Sequence, residues 1–167
     1  MAKKAEDRKK KKKTADGEVT VLAENRKARH VYTIVESHEA GLMLAGSEVK
    51  AIRSGKVSLV EAFGEISRNE AWLLQLDIQS YNFAHTRNHE PRRRRKLLLH
   101  RTEIDRMAGK LREKGYTMVP LSLYEKDGRV KVELALVTGK QEFDRRQDTK
   151  KREAQREIDR GMSARRR

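Results

Sequence analysis

The sequence predicts a mainly β fold, a small antiparallel barrel with added helices, set between two basic tails that lack a fold of their own. Three observations point there. Short β-branched or apolar runs recur with turn signals between them, only one long amphipathic helix is present, and the strand–helix rhythm of a parallel sheet is missing. The charge is also segregated. The 167 residues carry a formal +15, of which residues 1–14 hold +6 and residues 139–167 hold +5. The 124 residues between them hold only +4. A near-neutral middle can bury a core, whereas lysine- and arginine-rich ends cannot offset their ordering entropy. The expected division is a disordered basic arm over 1–24, a folded module over 25–138 and a basic tail over 139–167.

Residues 1–17 are low-complexity and lysine-rich, and read as a cationic arm. From Val31 to Val35 the chain is β-branched or aromatic, as a strand prefers. Ser47 to Ser54 reads as one or two helical turns, with Ser47 as N-cap and Gly55 just past the end. Val57–Ser67 and Ala71–Ile78 are strands around an Arg68-Asn69-Glu70 turn. After a polar connection over 79–96, Thr102 reads as an N-cap. Ile104, Met107, Ala108 and Leu111 then follow helical spacing until Gly115. Thr117–Tyr124 and Arg129–Val137 flank Asp127-Gly128, a hairpin signal because both turn residues must take positive φ. Five or six short strands on a chain of this charge suit the oligonucleotide-binding (OB) type of barrel, whose closure removes exposed edges.

Several chemistries find no support. There is no cysteine, hence no disulfide, thiolate metal site or thiol nucleophile. No apolar run approaches the roughly 20 residues that cross a bilayer, nor the shorter one of a secretory signal. The expectation is a soluble cytoplasmic protein. Gly41 to Ser47 has phosphate-loop glycine spacing without its lysine, and Gly55-Lys56 lacks the upstream glycine. His85 and His89 are four apart, but Pro91 follows and no third ligand is near, so a loop reading outweighs a metal site. The acidic residues are scattered singly. No catalytic residue, metal or cofactor is expected, and the reading is of a binding protein rather than an enzyme.

The binding signals are cationic. Asn25-Arg26-Lys27-Ala28-Arg29-His30 precedes a strand, and Arg92-Arg93-Arg94-Arg95-Lys96 follows Pro91. One such run is ordinarily a solvated face. Three on one small chain, counting the tail, favour a polyanion, since arginine forks suit phosphate and each contact releases counterions. RNA suits better than a membrane, because the tail's apolar stripe over Ala154, Ile158 and Met162 is one residue wide. Trp72, Tyr81 and Phe83 are of a type that stacks on bases. Trp72, within Ala-Trp-Leu-Leu, reads first as core.

Several segments resemble the SsrA-binding protein, or small protein B, family: Asn25–His30, Glu39–Leu42, Gly46–Lys50, Arg95–His100, Pro120–Tyr124, Lys131–Glu133 and Phe143–Arg146. They run in order over nearly the whole chain. The resemblance implies an OB-type barrel with added helices that binds the tRNA-like part of transfer-messenger RNA. It implies delivery of that RNA to stalled ribosomes for trans-translation, with no small-molecule substrate, as a monomer on its RNA. Carried over by motif, the RNA-binding residues would be Asn25, Arg26, Lys27, Arg29, His30, Glu39, Lys96, Leu98 and His100. Core burial is the alternative for Leu98, as is a plain surface carboxylate for Glu39. The tail would become helical in the mRNA channel of the small subunit. Phe143, Asp144, Arg145 and Arg146 would lie near the decoding site, and Lys150, Lys151, Arg152, Arg156, Ile158, Arg160 and Met162 along ribosomal RNA. Arg145 stands where the family often has Lys, and Phe143 where His or Tyr is frequent, so a donor role at 143 falls away. The competing expectation is a translation-associated OB protein that binds structured RNA or ribosomal RNA generally.

Overall fold

The computed structural model describes residues 11–14, 17–81 and 88–140. Within them lie ten strands and three helices in the order β1 (Lys11–Thr14), β2 (Gly17–Glu24), α1 (Arg26–Val31), β3 (Tyr32–Leu42), α2 (Gly46–Arg53), β4 (Val57–Ser58), β5 (Phe63–Ser67), β6 (Glu70–Leu74), β7 (Asp77–Ile78), β8 (Arg95–Leu98), α3 (Arg101–Leu111), β9 (Tyr116–Lys126) and β10 (Arg129–Gly139).

Eight strands form one antiparallel sheet in the order β1-β2-β9-β10-β3-β8-β6-β5, and β5 also pairs with β9. The sheet thus returns on itself as a ring of six strands, with the β1–β2 hairpin joined to β9 beside it. Both neighbours share one edge of β9: Ser122 to Lys126 pair with β2, and Met118 pairs with Gly64 of β5. A Cβ on Gly64 would stand 2.6 Å from Met118 Cε and 3.0 Å from its Cβ, so the ring closes at a residue without a side chain. The mainly β, antiparallel class with added helices is as expected.

Two turns follow their sequences closely. Arg68 and Asn69 (φ 51° and 62°) join β5 to β6, and Asp127 and Gly128 (φ 51° and 72°) join β9 to β10. The core inside the ring is apolar. Leu73, Leu97, Met118, Val132 and Leu134 come from strands, Ala51 and Ile52 from α2, and Ile104 and Met107 from α3. The C-terminal half of β10 is buried on both faces. Ala135 and Val137 turn away from the main core and pack with Val119, Leu121 and Ala28 of α1. Burial on both faces explains why Leu134 to Val137 is an unbroken apolar run.

Four expectations need correction. The arm expected to lack structure through residue 24 is strand over Lys11–Thr14 and again from Gly17, because the alternating Val19-Thr20-Val21 finds a free edge on β9 and β1 pairs back onto β2. The strand over 57–67 divides into β4 and β5, and that over 71–78 into β6 and β7, which pairs with β4. Ala45 rather than Ser47 caps α2, since the Glu48 carboxylate accepts from the Ala45 N–H at 2.6 Å. His100 rather than Thr102 caps α3, because Glu103 accepts from the His100 N–H at 2.9 Å.

Candidate nucleic-acid interface

The Asn25–His30 motif forms α1, a helix of six residues laid on the outer face of β9 and β10. Asn25 is its N-cap: Oδ1 accepts from the Ala28 N–H at 3.0 Å. Its Nδ2 donates to the carbonyls of Leu59 (3.0 Å) and Pro120 (3.3 Å), and its own N–H donates to Leu121 O (2.7 Å). Those last two acceptors lie at a bulge in β9, where Leu121 is the extra residue between Ser122, opposite Glu133, and Pro120, opposite Leu134. Asn25 is buried with its side chain fully engaged, so it holds the helix instead of facing a ligand. Arg26, Lys27 and Arg29 are exposed on the helix. Arg26 lies 3.6 Å from Glu24, and Arg29 3.6 Å from Glu133. His30 is half-buried, and its Nδ1 has no hydrogen-bond partner.

From Arg29 a polar strip crosses the outer face of the sheet. Glu133 accepts from the Ser122 hydroxyl at 2.9 Å and lies opposite Glu39 in the β10–β3 register. Glu39 is exposed yet tightly held. Lys131 Nζ donates to it at 2.8 Å, the Tyr124 hydroxyl donates at 2.6 Å, and Lys126 Nζ stands 3.8 Å away. The Lys131 and Tyr124 hydrogen bonds hold the Glu39 carboxyl below its ordinary 4.5. Burial, and then the bond to Glu39, push the Tyr124 hydroxyl up, so it remains a donor at neutral pH. In the next register row Lys131 faces Gly41, and Gly41 faces Leu98. Leu98 is 51% exposed and packs over Gly41, where a Cβ would meet its own Cβ at 3.2 Å. Leu97 is the buried neighbour. Lys96 continues the strip, ion-paired to Glu70 and opposite Trp72.

The 92–96 run differs from its expectation. Arg95 is fully buried, its Nε donating at 2.8 Å to Glu48, which is fully buried too. The remaining Arg95 donors reach the carbonyls of Leu76, Arg93 and Pro91. Arg93 Nε donates to the same Glu48 carboxylate at 2.9 Å. Burial alone would raise the Glu48 pKa, but hydrogen bonds from Arg93, the Ala45 N–H and Arg95 outweigh it and hold the group below 4.5. Arg92 lies 3.5 Å from Asp77 and 3.6 Å from Glu61. Much of the apparent cationic patch is therefore internal structure. Trp72 is not a core residue: it is half-buried on the outer face, with the Arg94 guanidinium 3.9 Å from its ring centroid.

The structure thus brings Arg29, Glu39, Lys96 and Leu98 into one strip and places His100 at the start of α3 just beyond it. Sequence reading missed Tyr124, Lys131, Ser122 and Glu133. The signal was the alternation of Arg129, Lys131 and Glu133 with Val130, Val132 and Leu134, which puts every second residue on the outer face. Phe83, His85 and the tail residues Phe143 to Met162 lie outside the described residues. His89 is half-buried, its ring nitrogens 3.0 Å from Ser47 Oγ and Ile78 O. Among the described residues no group of three acidic or histidine side chains is arranged to hold a metal.

Comparison with known proteins follows the same lines. A solved chain described as "tmRNA-SmpB: a journey to the center of the bacterial ribosome" superposes with a TM-score of 0.62 at 45% identity, covering 72% of this chain and 85% of that one. The SsrA-binding protein of Corynebacterium glutamicum (strain R) is 53% identical over 156 residues, 93% of this chain and 95% of its own length. That of Mycolicibacterium smegmatis is 51% identical over 154 residues, 92% and 96% of the two chains. The family model described as SmpB protein matches residues 22–164, and the chain belongs to that family.

Proposed function

We propose that the chain binds the tRNA-like part of transfer-messenger RNA and delivers it to stalled ribosomes for trans-translation. The single observation that carries this reading is family membership across residues 22–164, with relatives named as SsrA-binding proteins. The outer strip supports it physically. It offers exposed cations on a short rigid helix, an apolar leucine, and a Glu39–Tyr124–Lys131 cluster whose acceptor is fixed in place. Phosphates would meet Arg26, Lys27, Arg29 and Lys96. Leu98 and its neighbours would lie against sugar or base surface, with Glu39 accepting from a base edge. His30, next to Arg29 on α1, and His100, at the start of α3, would serve as donors or stacking surfaces.

Asn25 acts by positioning α1. The tail, from Phe143 through Arg146 and on to Met162, is assigned to the decoding region and mRNA channel of the small subunit. The role is binding without catalysis, in the cytoplasm where ribosomes work. Among the described residues no helix is long and apolar enough to cross a membrane.

The test has two arms. In competition at fixed salt, transfer-messenger RNA should displace ordinary tRNA by at least tenfold; equal affinities would leave a general structured-RNA binder instead. Deleting residues 140–167 should leave that affinity within about threefold while abolishing peptide tagging of stalled chains. Tagging that survives the deletion sinks the tail assignment.

A further inference from the structure

We infer that Arg94, stacked on Trp72, is a phosphate-reading residue of the 92–96 run in addition to Lys96, extending the RNA surface along the outer face of β6 and β8. The inference rests on the RNA-binding reading above. It begins from the neighbours of each cation. Arg93 and Arg95 both turn inward to Glu48. Arg92 sits within 4 Å of Asp77 and Glu61, and Lys96 is paired with Glu70. Among the described residues of the run, Arg94 alone has no carboxylate beside it, and its side chain is exposed.

Its orientation follows from alternation. Residues 93 and 95 face one way along an extended segment, so residue 94 faces the other, where Trp72 lies between Glu65 and Lys96 in the register. The guanidinium carbon stands 3.9 Å from the indole centroid. That contact occupies one face of the guanidinium and leaves the N–H edge free. Such an edge is a planar fork of donors that matches phosphate bidentately, and the stack has already restricted its rotamers. The four paired cations would each have to leave a carboxylate to make the same contact. Trp72 is accordingly a positioning residue. The ligand is a backbone phosphate of the RNA that lies on the Lys96–Leu98 strip.

The experiment measures affinity for the tRNA-like domain of transfer-messenger RNA against KCl concentration, using the full chain. Arg94→Gln is expected to weaken binding about fivefold to tenfold and to flatten the log K against log salt slope by about one. Arg94→Lys should keep the slope and recover only part of the affinity. Arg92→Gln should stay within about twofold of the unmutated chain. Trp72→Leu should weaken binding with the slope unchanged, and the loss from Arg94→Gln should be smaller in that background. An additive pair would make Trp72 merely structural and overturn its role. Arg94→Gln with unaltered affinity and slope overturns the inference, as does an Arg92→Gln loss of equal size. Failure of the unmutated chain to prefer this RNA over ordinary tRNA would instead overturn the functional reading.

Discussion

The helix α1 and the 92–96 run carry closely similar sequences, Arg-Lys-Ala-Arg-His and Arg-Arg-Arg-Arg-Lys, yet the fold uses them in opposite ways. In α1 the one small residue, Ala28, is buried against Val119, Leu121, Ala135 and Val137, and the cations around it are all exposed, Arg26 and Arg29 at 3.6 Å from surface carboxylates and none turned inward. In the run two arginines share one buried carboxylate, two further cations have surface carboxylates, and a single arginine is left with an aromatic ring. Charge in sequence therefore measures supply, not availability. Availability depends on carboxylates far along the chain: Glu48 lies 47 residues before Arg95, and Glu70 lies 26 before Lys96.

The largest break in this contrast is at Glu48. Replacing it with Ala leaves Arg95 buried without a counter-charge, which should destabilise the fold by about 3–5 kcal/mol. Urea unfolding checks this, and a loss under about 1 kcal/mol would mean that the pair is not buried as described. Since Glu48 is held below 4.5 in the folded state, its contribution is full at neutral pH and is lost as pH falls through that depressed value. Acid should thus weaken the anchoring of the 92–96 run.

A smaller effect separates holding from touching within α1. Asn25→Ala removes the cap, leaves the Ala28 N–H without its acceptor and deletes the bonds to the Leu59 and Pro120 carbonyls, so it should reduce stability by about 2–3 kcal/mol. RNA affinity should fall with it, but the salt slope should not change, because no cation is lost. Lys27→Gln should do the reverse, leaving stability within about 0.5 kcal/mol and flattening the slope by about one. Matching slopes in the two variants would erase the distinction between positioning and contact.

These contrasts also show which parts of the molecule are legible in sequence. The β9–β10 hairpin is legible because Asp127-Gly128 must take positive φ, and α3 because eleven residues are enough to show a helical period. The six residues of α1 are too few to show one. Its cap was nonetheless written in Asn25, a residue type that satisfies a helix N-terminus, and cationic neighbours drew the reading toward a ligand instead. β2 was hidden for a similar reason, its Val-Thr-Val alternation standing next to a lysine tract. The Glu48–Arg95 pair and the Arg94–Trp72 stack have no local signature. They arise from register and from which face a residue takes, and only the closed sheet decides those. On the outer strip Glu39, Lys96 and Leu98 came from motif resemblance, whereas Tyr124 and Lys131 required the strand pairing to be placed beside Glu39.

Glu39 sharpens the comparison from a third side, because it is a carboxylate that collects cations without being buried. Lys131 and Tyr124 hold its carboxyl below 4.5 in the folded state, while the unfolded chain returns it to the ordinary value. A depressed folded pKa contributes stability that is complete above the unfolded value and disappears as pH falls through the folded one. The side chain is 38% exposed, so solvent screens the pair and the contribution should be under about 1 kcal/mol. Glu39→Gln should accordingly reduce stability by a few tenths of a kcal/mol at pH 7, with the difference from the unmutated chain vanishing in acid. Its effect on RNA should be the larger one. The amide loosens the hold on Lys131 and replaces one of the two carboxylate acceptors by a donor. If Glu39 serves merely to restrain Lys131, binding should strengthen at low salt. If it reads a base edge, binding should weaken at every salt concentration. The second outcome is expected, because the Tyr124 hydroxyl and Lys131 Nζ together fix the carboxylate's orientation far more closely than restraint of a single lysine requires.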